Sequence, residues 1–182
     1  AQKALDTNPD GAAEYVNKAA QLIKGTTEGD LRNIAHRLHP SLIRLGLLGS
    51  LRSLSDTFRP TLAVEIYPTD GAENPHNLWG TEMSEELRLA IYRVVEEAFN
   101  NVLKHAKATK ATVRLDRPTE DRISVTVQDN GQGFDVQTTT PGFGILSMQD
   151  YSTALGGTLE VQSQIGKGTV VIASFPLAAV RG

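Results

Sequence analysis

The sequence predicts an α+β fold, a two-layer sandwich with helices on one face of a mixed sheet, preceded by a helical segment. Apolar residues recur at helical spacing before residue 59 and again between Met83 and Ala106. Strand candidates lie near 62–67, 113–115, 123–127, 159–163 and 169–175, and apolar and polar residues alternate in the second and third of them. We expect the last strands to pair antiparallel, which favours this class over a purely parallel sheet.

Composition limits the classes of function. The 182 residues carry a formal net charge of -3, which gives no electrostatic reason to expect a nucleic acid or an anionic membrane as partner. The absence of cysteine excludes disulfides, thiolate metal sites and cysteine nucleophiles. No segment approaches the roughly 20 apolar residues that span a bilayer. We expect a cytoplasmic piece of a longer protein, with membrane anchoring of the full-length protein left open.

The first third of the chain reads as helical. A turn at Asn8–Gly11 precedes a helix predicted over 12–39, and Pro40 ends or kinks it because proline cannot continue the hydrogen-bonding pattern. A second helix is predicted over 41–58, where leucines recur every three residues. Beyond Pro60 the pattern changes to strands. We therefore divide the chain into a helical segment at 1–59 and a second domain at 60–182.

The long helix over 83–106 carries the first candidate site. Glu97, Asn101, Lys104 and His105 are spaced by three or four residues or adjacent, so they are predicted to form one polar stripe. It borders the apolar stripe of Leu87, Ile91, Val94, Ala98 and Val102. The carboxamide oxygen suits Mg²⁺, the two basic groups suit phosphate oxygens, and the carboxylate can accept a proton. The alternative is an ordinary exposed helix edge.

The second candidate is the loop Asp129–Phe134, which follows a predicted strand. Asp129 is expected at the strand end, where its carboxylate could accept a hydrogen bond from the exocyclic amine of adenine. Gly131 and Gly133 permit a close approach of backbone to ligand. The alternative is a simple Asp-Asn-Gly turn.

Two further glycine pairs follow. Gly142 and Gly144 lead into a predicted helix over 144–155, whose free N–H groups could attract phosphate. The run Gly166–Thr169, which includes Gly168, lies between the last two strands and could also be a plain hairpin turn. Each pattern is weak alone.

The four motifs in this order resemble the Bergerat (GHKL) ATP-binding fold of histidine kinases, type II topoisomerases, some chaperones and MutL-type repair proteins. Val95–Ala106 and Leu155–Thr169 are similar to the sensor histidine kinases that signal to LuxR/NarL-type response regulators. The resemblance covers about 60–177. Ser147 departs from it, since these kinases often have glycine there.

The resemblance implies a role for each matching residue. It implies Asn101 on Mg²⁺, Glu97 as the catalytic acid or base, and Lys104 and His105 near the phosphates. It also implies Asp129 on adenine. The other residues that it places at the nucleotide are Gly131, Gly133, Gly142, Gly144, Gly168 and Thr169.

The implied activity is ATP:protein-histidine phosphotransfer, with ATP and Mg²⁺ as cofactors. The implied partners are a LuxR/NarL-type response regulator and, in the full-length protein, a second copy of the chain. Nucleic acid is not expected as a partner, nor is membrane contact by this piece. The alternatives are an ATP-hydrolysing conformational machine, an anti-sigma serine kinase and a nucleotide-binding or dimerisation module without catalysis.

The phosphoacceptor histidine is expected before Ala1. In this kinase group the acceptor lies within a helix and precedes an acidic residue, whereas His39 precedes Pro40. The run Leu38–Leu42 resembles instead the end of the second dimerisation helix. His39 is the remaining candidate acceptor in this chain.

Overall fold

The computed structural model describes residues 46–68 and 83–177. The chain divides into two compact units, 1–41 and 42–182, and every described element belongs to the second. The helices are α1 (Leu47–Phe58), α2 (Glu85–Asn101) and α3 (Phe143–Thr153). The strands are β1 (Ala63–Pro68), β2 (Lys110–Thr119), β3 (Arg122–Asp129), β4 (Thr158–Ser163) and β5 (Thr169–Pro176). Three predicted features lie outside the described residues. They are the helix over 12–39, the candidate acceptor His39, and most of 68–80, which is predicted from the sequence to be a loop.

The strands form one mixed sheet in the order β1-β2-β3-β5-β4. β1 runs parallel to β2, and α2 makes the crossover that a parallel pair requires. The other pairs, β2–β3, β3–β5 and β4–β5, are antiparallel. The predicted α+β class with a mixed sheet is confirmed. Within the described ranges no helix is long and apolar enough to cross a membrane.

Alternation along the central strands produces the core. Ile123 and Val125 of β3 are completely buried, and they lie opposite Phe175 and Ala173 of β5. The intervening β3 residues are polar and more exposed, among them Thr126. This period of two places every apolar side chain of the strand on the face that the helices cover.

The helix α2 begins at a favourable cap and covers the sheet. The Ser84 hydroxyl accepts a hydrogen bond from the Leu87 N–H at 3.2 Å, and Glu85 and Glu86 lie in the first turn, where carboxylates favour the positive end of the helix. The α-helical part ends at Asn101. A π-helical turn, Val102–Ala106, follows it and ends at Lys107 in a left-handed conformation with φ 53°. The predicted helix over 83–106 therefore changes its geometry in the last turn.

The helix α1 packs against α2. Leu47, Leu51 and Leu54 are buried in the core, and the rings of Phe58 and Phe99 meet edge to face with centroids 5.2 Å apart. This geometry is a favoured arrangement of two aromatic rings. The division of the chain into a helical segment at 1–59 and a second domain at 60–182 stays a prediction.

The hairpin between β2 and β3 is tighter than the sequence indicates. The run Arg117–Glu120 separates the two alternating segments and is predicted to be a hairpin loop, but β2 continues to Thr119 and β3 begins at Arg122. The pairing shifts register between Asp116 and Thr119, so the strands accommodate Pro118 through an irregularity. The hairpin lies away from the motifs and leaves them unaffected.

Candidate functional site

The first part of the site lies where the end of α2 meets the start of α3. Glu97 and Asn101 are half-buried and one turn apart on α2. A Cβ built on Gly144 would lie 2.6 Å from the Glu97 carboxylate and 2.9 Å from the Asn101 carboxamide oxygen. Both polar groups therefore reach the backbone of the first turn of α3. The structure brings together two motifs that are about forty residues apart in sequence.

The two basic residues do not complete a half-buried row, and this part of the prediction is wrong. Lys104 and His105 are exposed, and they belong to the π-helical turn and not to the α-helix. A π-helix bonds residue i to i+5, so its side chains no longer follow the α-helical stripe. The π-helical turn that carries both side chains begins directly after Asn101, and exposed basic side chains remain available to an anionic ligand.

The second part of the site is the carboxyl group of Asp129 at the end of β3. Asp129 is only 6% exposed, and its Oδ1 accepts a hydrogen bond from the Gly131 N–H at 2.7 Å. Burial raises the pKa of Asp129, while the backbone N–H groups of Gly131 and Thr169 act in the opposite direction. A carboxylate has about four acceptor positions, so two such bonds leave capacity for a ligand.

Gly133 and Gly168 hold the loops close to this carboxylate. Gly168 has φ 78°, and a Cβ there would overlap the carbonyl group of Asp129. Gly133 has φ 60°, and a Cβ there would overlap the backbone of Gln164. Any other residue would be strained at both positions and would push the loops apart.

Gly131 joins the second part of the site to the end of α2. A Cβ on Gly131 would lie 2.7 Å from the Cβ of Ala106, which leaves room only for hydrogen. Gln132 then bonds to the same helix end, through its N–H to the Ala106 carbonyl at 2.7 Å and through Nε2 to the His105 carbonyl at 2.7 Å. The two parts of the site thus share one framework.

Sequence reasoning missed three positioning residues. The Asn130 carboxamide oxygen accepts from the N–H groups of Thr109 and Lys110, both at 3.0 Å. Ser163 accepts from the Phe134 N–H at 2.9 Å and is 2.9 Å from the Gly168 carbonyl. Gln132 is the third. Asn130 bonds to the start of β2, Ser163 to the loops at Phe134 and Gly168, and Gln132 to the end of the helix. Nothing in the sequence of a polar loop identifies such partners.

Gly142 occupies an open position. It is the N-cap of α3, and a Cβ there would have no described atom within 4 Å. The adjoining Phe143 is 90% exposed. Packing among the described residues therefore places no demand on Gly142, and its assignment to the nucleotide stays a prediction.

The residues fit an Mg²⁺ ion that is shared with phosphates. Among the described residues no group of three or more His, Asp or Glu side chains could hold a metal by itself. Asn101 and Glu97 nevertheless offer adjacent oxygen atoms near Gly144. Mg²⁺ is commonly held by one or two protein oxygen ligands with substrate phosphates and water completing the shell.

Comparison with known proteins defines the class. Residues 86–179 match the family described as Histidine kinase-, DNA gyrase B-, and HSP90-like ATPase, and the chain belongs to that family. The match begins in the first turn of α2 and extends past β5, so it includes every candidate residue of the nucleotide site but not His39. Because the family is one of ATPases, ATP is the nucleotide to which the site corresponds.

Two histidine kinases are similar in sequence to nearly the whole of this chain. The chain is 32% identical over 186 aligned residues to the sensor histidine kinase MctS of Rhizobium johnstonii, covering 100% of this chain and 38% of that protein. It is 28% identical over 174 residues to the signal transduction histidine-protein kinase/phosphatase DegS of Brevibacillus brevis, covering 94% and 43%. The chain therefore spans about two fifths of these relatives.

A solved structure has the same fold. The histidine kinase domain of a blue-light activated histidine kinase from Erythrobacter litoralis superposes with a TM-score of 0.58 at 21% identity, covering 73% of this chain and 62% of that one. This likeness concerns the fold alone.

The expected contact between Asp129 and the adenine amine, together with the raised pKa of Asp129, predicts a pH-dependent affinity for adenosine. Only the ionised carboxylate keeps its full capacity to accept from the adenine amine, so affinity should be full above the raised pKa and fall as the pH drops through it. Asp129→Asn should weaken adenosine at neutral pH by about 1–3 kcal/mol, because the carboxamide can present an N–H to that amine.

Calorimetry with adenosine from acid to neutral pH tests this prediction. The variant reveals any pH dependence that belongs to adenosine itself, and guanosine, with a carbonyl at that ring position, should bind poorly to both proteins. Equal adenosine affinity in the two proteins, within twofold, would reduce Asp129 to a turn residue.

Proposed function

We propose that this chain is the catalytic ATP-binding region of a two-component sensor histidine kinase. The observation that carries the proposal is the meeting of Glu97 and Asn101 with the backbone of Gly144 at the start of α3. A carboxylate, a carboxamide oxygen and the N-terminal turn of a helix at one place suit a triphosphate and its metal ion. Membership in the ATPase family and the sensor kinase names of the relatives support the same proposal.

Each site residue has a role in the proposal. Asp129 accepts a hydrogen bond from the adenine amine, and Asn101 would hold the metal ion through its carboxamide oxygen. Lys104 and His105 face the phosphates from the π-helical turn. When bound, Mg²⁺ would neutralise part of the phosphate charge. The backbone that adjoins the nucleotide comes from Gly131, Gly133, Gly142, Gly144, Gly168 and Thr169.

The reaction needs positioning more than covalent chemistry by the domain. A histidine nitrogen forms a bond to the γ-phosphorus as the bond from phosphorus to the bridging oxygen breaks, and ADP leaves with that electron pair. Glu97 accepts the proton that the imidazole loses. The acceptor must come within about 3–3.5 Å of the phosphorus and in line with the leaving oxygen.

The acceptor and the partners complete the proposal. The acceptor lies on a helix that precedes Ala1, and the helical segment at 1–59 belongs to the dimerisation region. The full-length kinase works as a homodimer in the cytoplasm and passes the phosphoryl group to a response regulator of the LuxR/NarL type.

Phosphate transfer tests this function. With γ-labelled ATP and Mg²⁺, the 182-residue chain should bind ATP and carry no more than trace acid-labile label, because His39 precedes Pro40, and proline cannot continue a helix with its hydrogen bonding intact. A longer protein that includes the residues before Ala1 should become labelled on histidine.

The outcomes separate the competing assignments. Stoichiometric acid-labile phosphate on His39 of the present chain would overturn the placement of the acceptor and leave the kinase function standing. Acid-stable phosphate on a serine of a partner protein would indicate the anti-sigma kinase instead. ATP binding without transfer in the longer protein would contradict the kinase function.

A further inference from the structure

The end of the helix that carries Lys104 and His105 requires hydrogen-bond partners. The last carbonyl groups of a helix accept no hydrogen bond from an N–H group of the same helix. In this chain the carbonyls of His105 and Ala106 both accept from Gln132, from Nε2 and from the backbone N–H, each at 2.7 Å. A single residue of the loop after β3 therefore caps the turn that the proposal places at the phosphates.

Gln132 has a third bond on its other side. Its carbonyl accepts from the Gly166 N–H at 2.7 Å, and Gly166 lies in the turn that leads to Gly168, which contacts Asp129. Gln132 is thus bonded to both ends of the proposed nucleotide site. Asn130 differs from Gln132, because its carboxamide oxygen accepts from the N–H groups of Thr109 and Lys110 at the start of β2.

The side chain of Gln132 contributes by its donor and not by packing. Gln132 is exposed, so truncating it opens no cavity in the core. Loss of the amide leaves the His105 carbonyl to water and removes one of the two bonds that Gln132 makes to the π-helical turn. Lys104 and His105 would then be less well ordered. A less ordered side chain loses more conformational entropy when it binds a phosphate, which weakens the binding.

We infer that Gln132 is a positioning residue that fixes the basic turn at Lys104 and His105 for the phosphates, while Asp129 in the same loop binds the base. This inference rests on the proposed ATP site. One loop would then serve both ends of the nucleotide. Asp129 binds the base, and Gln132, which is bonded to the end of the helix and to Gly166, positions the residues that contact the phosphates. Removing the Gln132 amide should therefore affect the phosphate end of the nucleotide and spare the base end.

A comparison of two ligands tests the inference. Gln132→Met keeps the approximate length of the side chain and removes its donor. The dissociation constant for Mg·ATP should rise about fivefold to tenfold, as expected for one hydrogen bond with a net contribution near 1 kcal/mol, while that for adenosine should change less than twofold. Gln128→Met makes the same chemical change on an exposed position of β3 and should alter neither constant.

A double variant identifies the route. Lys104→Ala should weaken Mg·ATP less in the Gln132→Met background than in the native chain, because the lysine is already poorly placed there. Strictly additive losses, or equal losses of adenosine and Mg·ATP affinity in Gln132→Met, would overturn the inference. So would a Gln132→Met protein that binds both ligands as the native chain does. A native chain that binds neither ligand would refute the ATP site itself, and this inference with it.

Discussion

Asn101→Ala should weaken Mg·ATP binding by about a hundredfold, while the affinity for adenosine stays within about threefold. The carboxamide is the proposed protein ligand of the metal, and bonds to charged partners contribute about 1.5–3 kcal/mol each, more when a metal is also lost. Adenosine has no phosphates and should not require it. Calorimetric titrations with both ligands give the two ratios.

Asn100→Ala is the matched control for that variant. Asn100 is the same residue type, one position earlier on α2, and its side chain is likewise half-buried. It points about 100° away around the helix, so Mg·ATP affinity should be retained. A comparable loss in both variants would mean that the helix end, and not the Asn101 carboxamide, determines affinity.

Gly168→Ala should lower the free energy of unfolding by about 3 kcal/mol. A left-handed conformation costs a residue with a Cβ about 1–2 kcal/mol, and the overlap with the Asp129 carbonyl adds a further cost of about 1–3 kcal/mol. Gly168 has φ 78°, and a Cβ there would also lie 3.1 Å from the Asp129 carboxylate. The surviving folded protein should bind adenosine poorly. Urea denaturation measures the first effect.

Gly166→Ala separates strain from overlap. Gly166 has φ 81°, and a Cβ there would have no described atom within 4 Å. This variant should carry the conformational cost alone, about 1–2 kcal/mol, and should retain adenosine binding. Equal destabilisation by the two substitutions would contradict the close contact between Gly168 and Asp129.

Much of the site could be predicted because its residues follow local rules. Glu97 and Asn101 are separated by four positions on a helix, so helical geometry alone places them one above the other. Asp129 follows an alternating run and therefore ends a strand. The existence of the central strands follows from the same alternation, whereas the parallel pairing of β1 with β2 and the insertion of β5 between β3 and β4 depend on long-range pairing that no local pattern encodes.

The remainder depends on contacts between distant segments. The π-helical turn places Lys104 and His105 off the predicted stripe, and its carbonyls are satisfied by Gln132, more than twenty residues later. Ser163 acts similarly across the loops, since it bonds to Phe134 and approaches Gly168. In sequence such residues look like ordinary polar loop positions, because their role is set by partners that only the folded chain brings near.

Calorimetric titration of the native chain with ATP, in Mg²⁺ and again in excess EDTA, tests the central claim most directly. Asn101 is the one protein oxygen ligand proposed for a metal ion that otherwise depends on the phosphates. Saturable binding of one ATP per chain is therefore expected in Mg²⁺, with a large loss of affinity in EDTA. Equal affinity in the two conditions, or no binding in either, would contradict the assignment of this site to Mg·ATP.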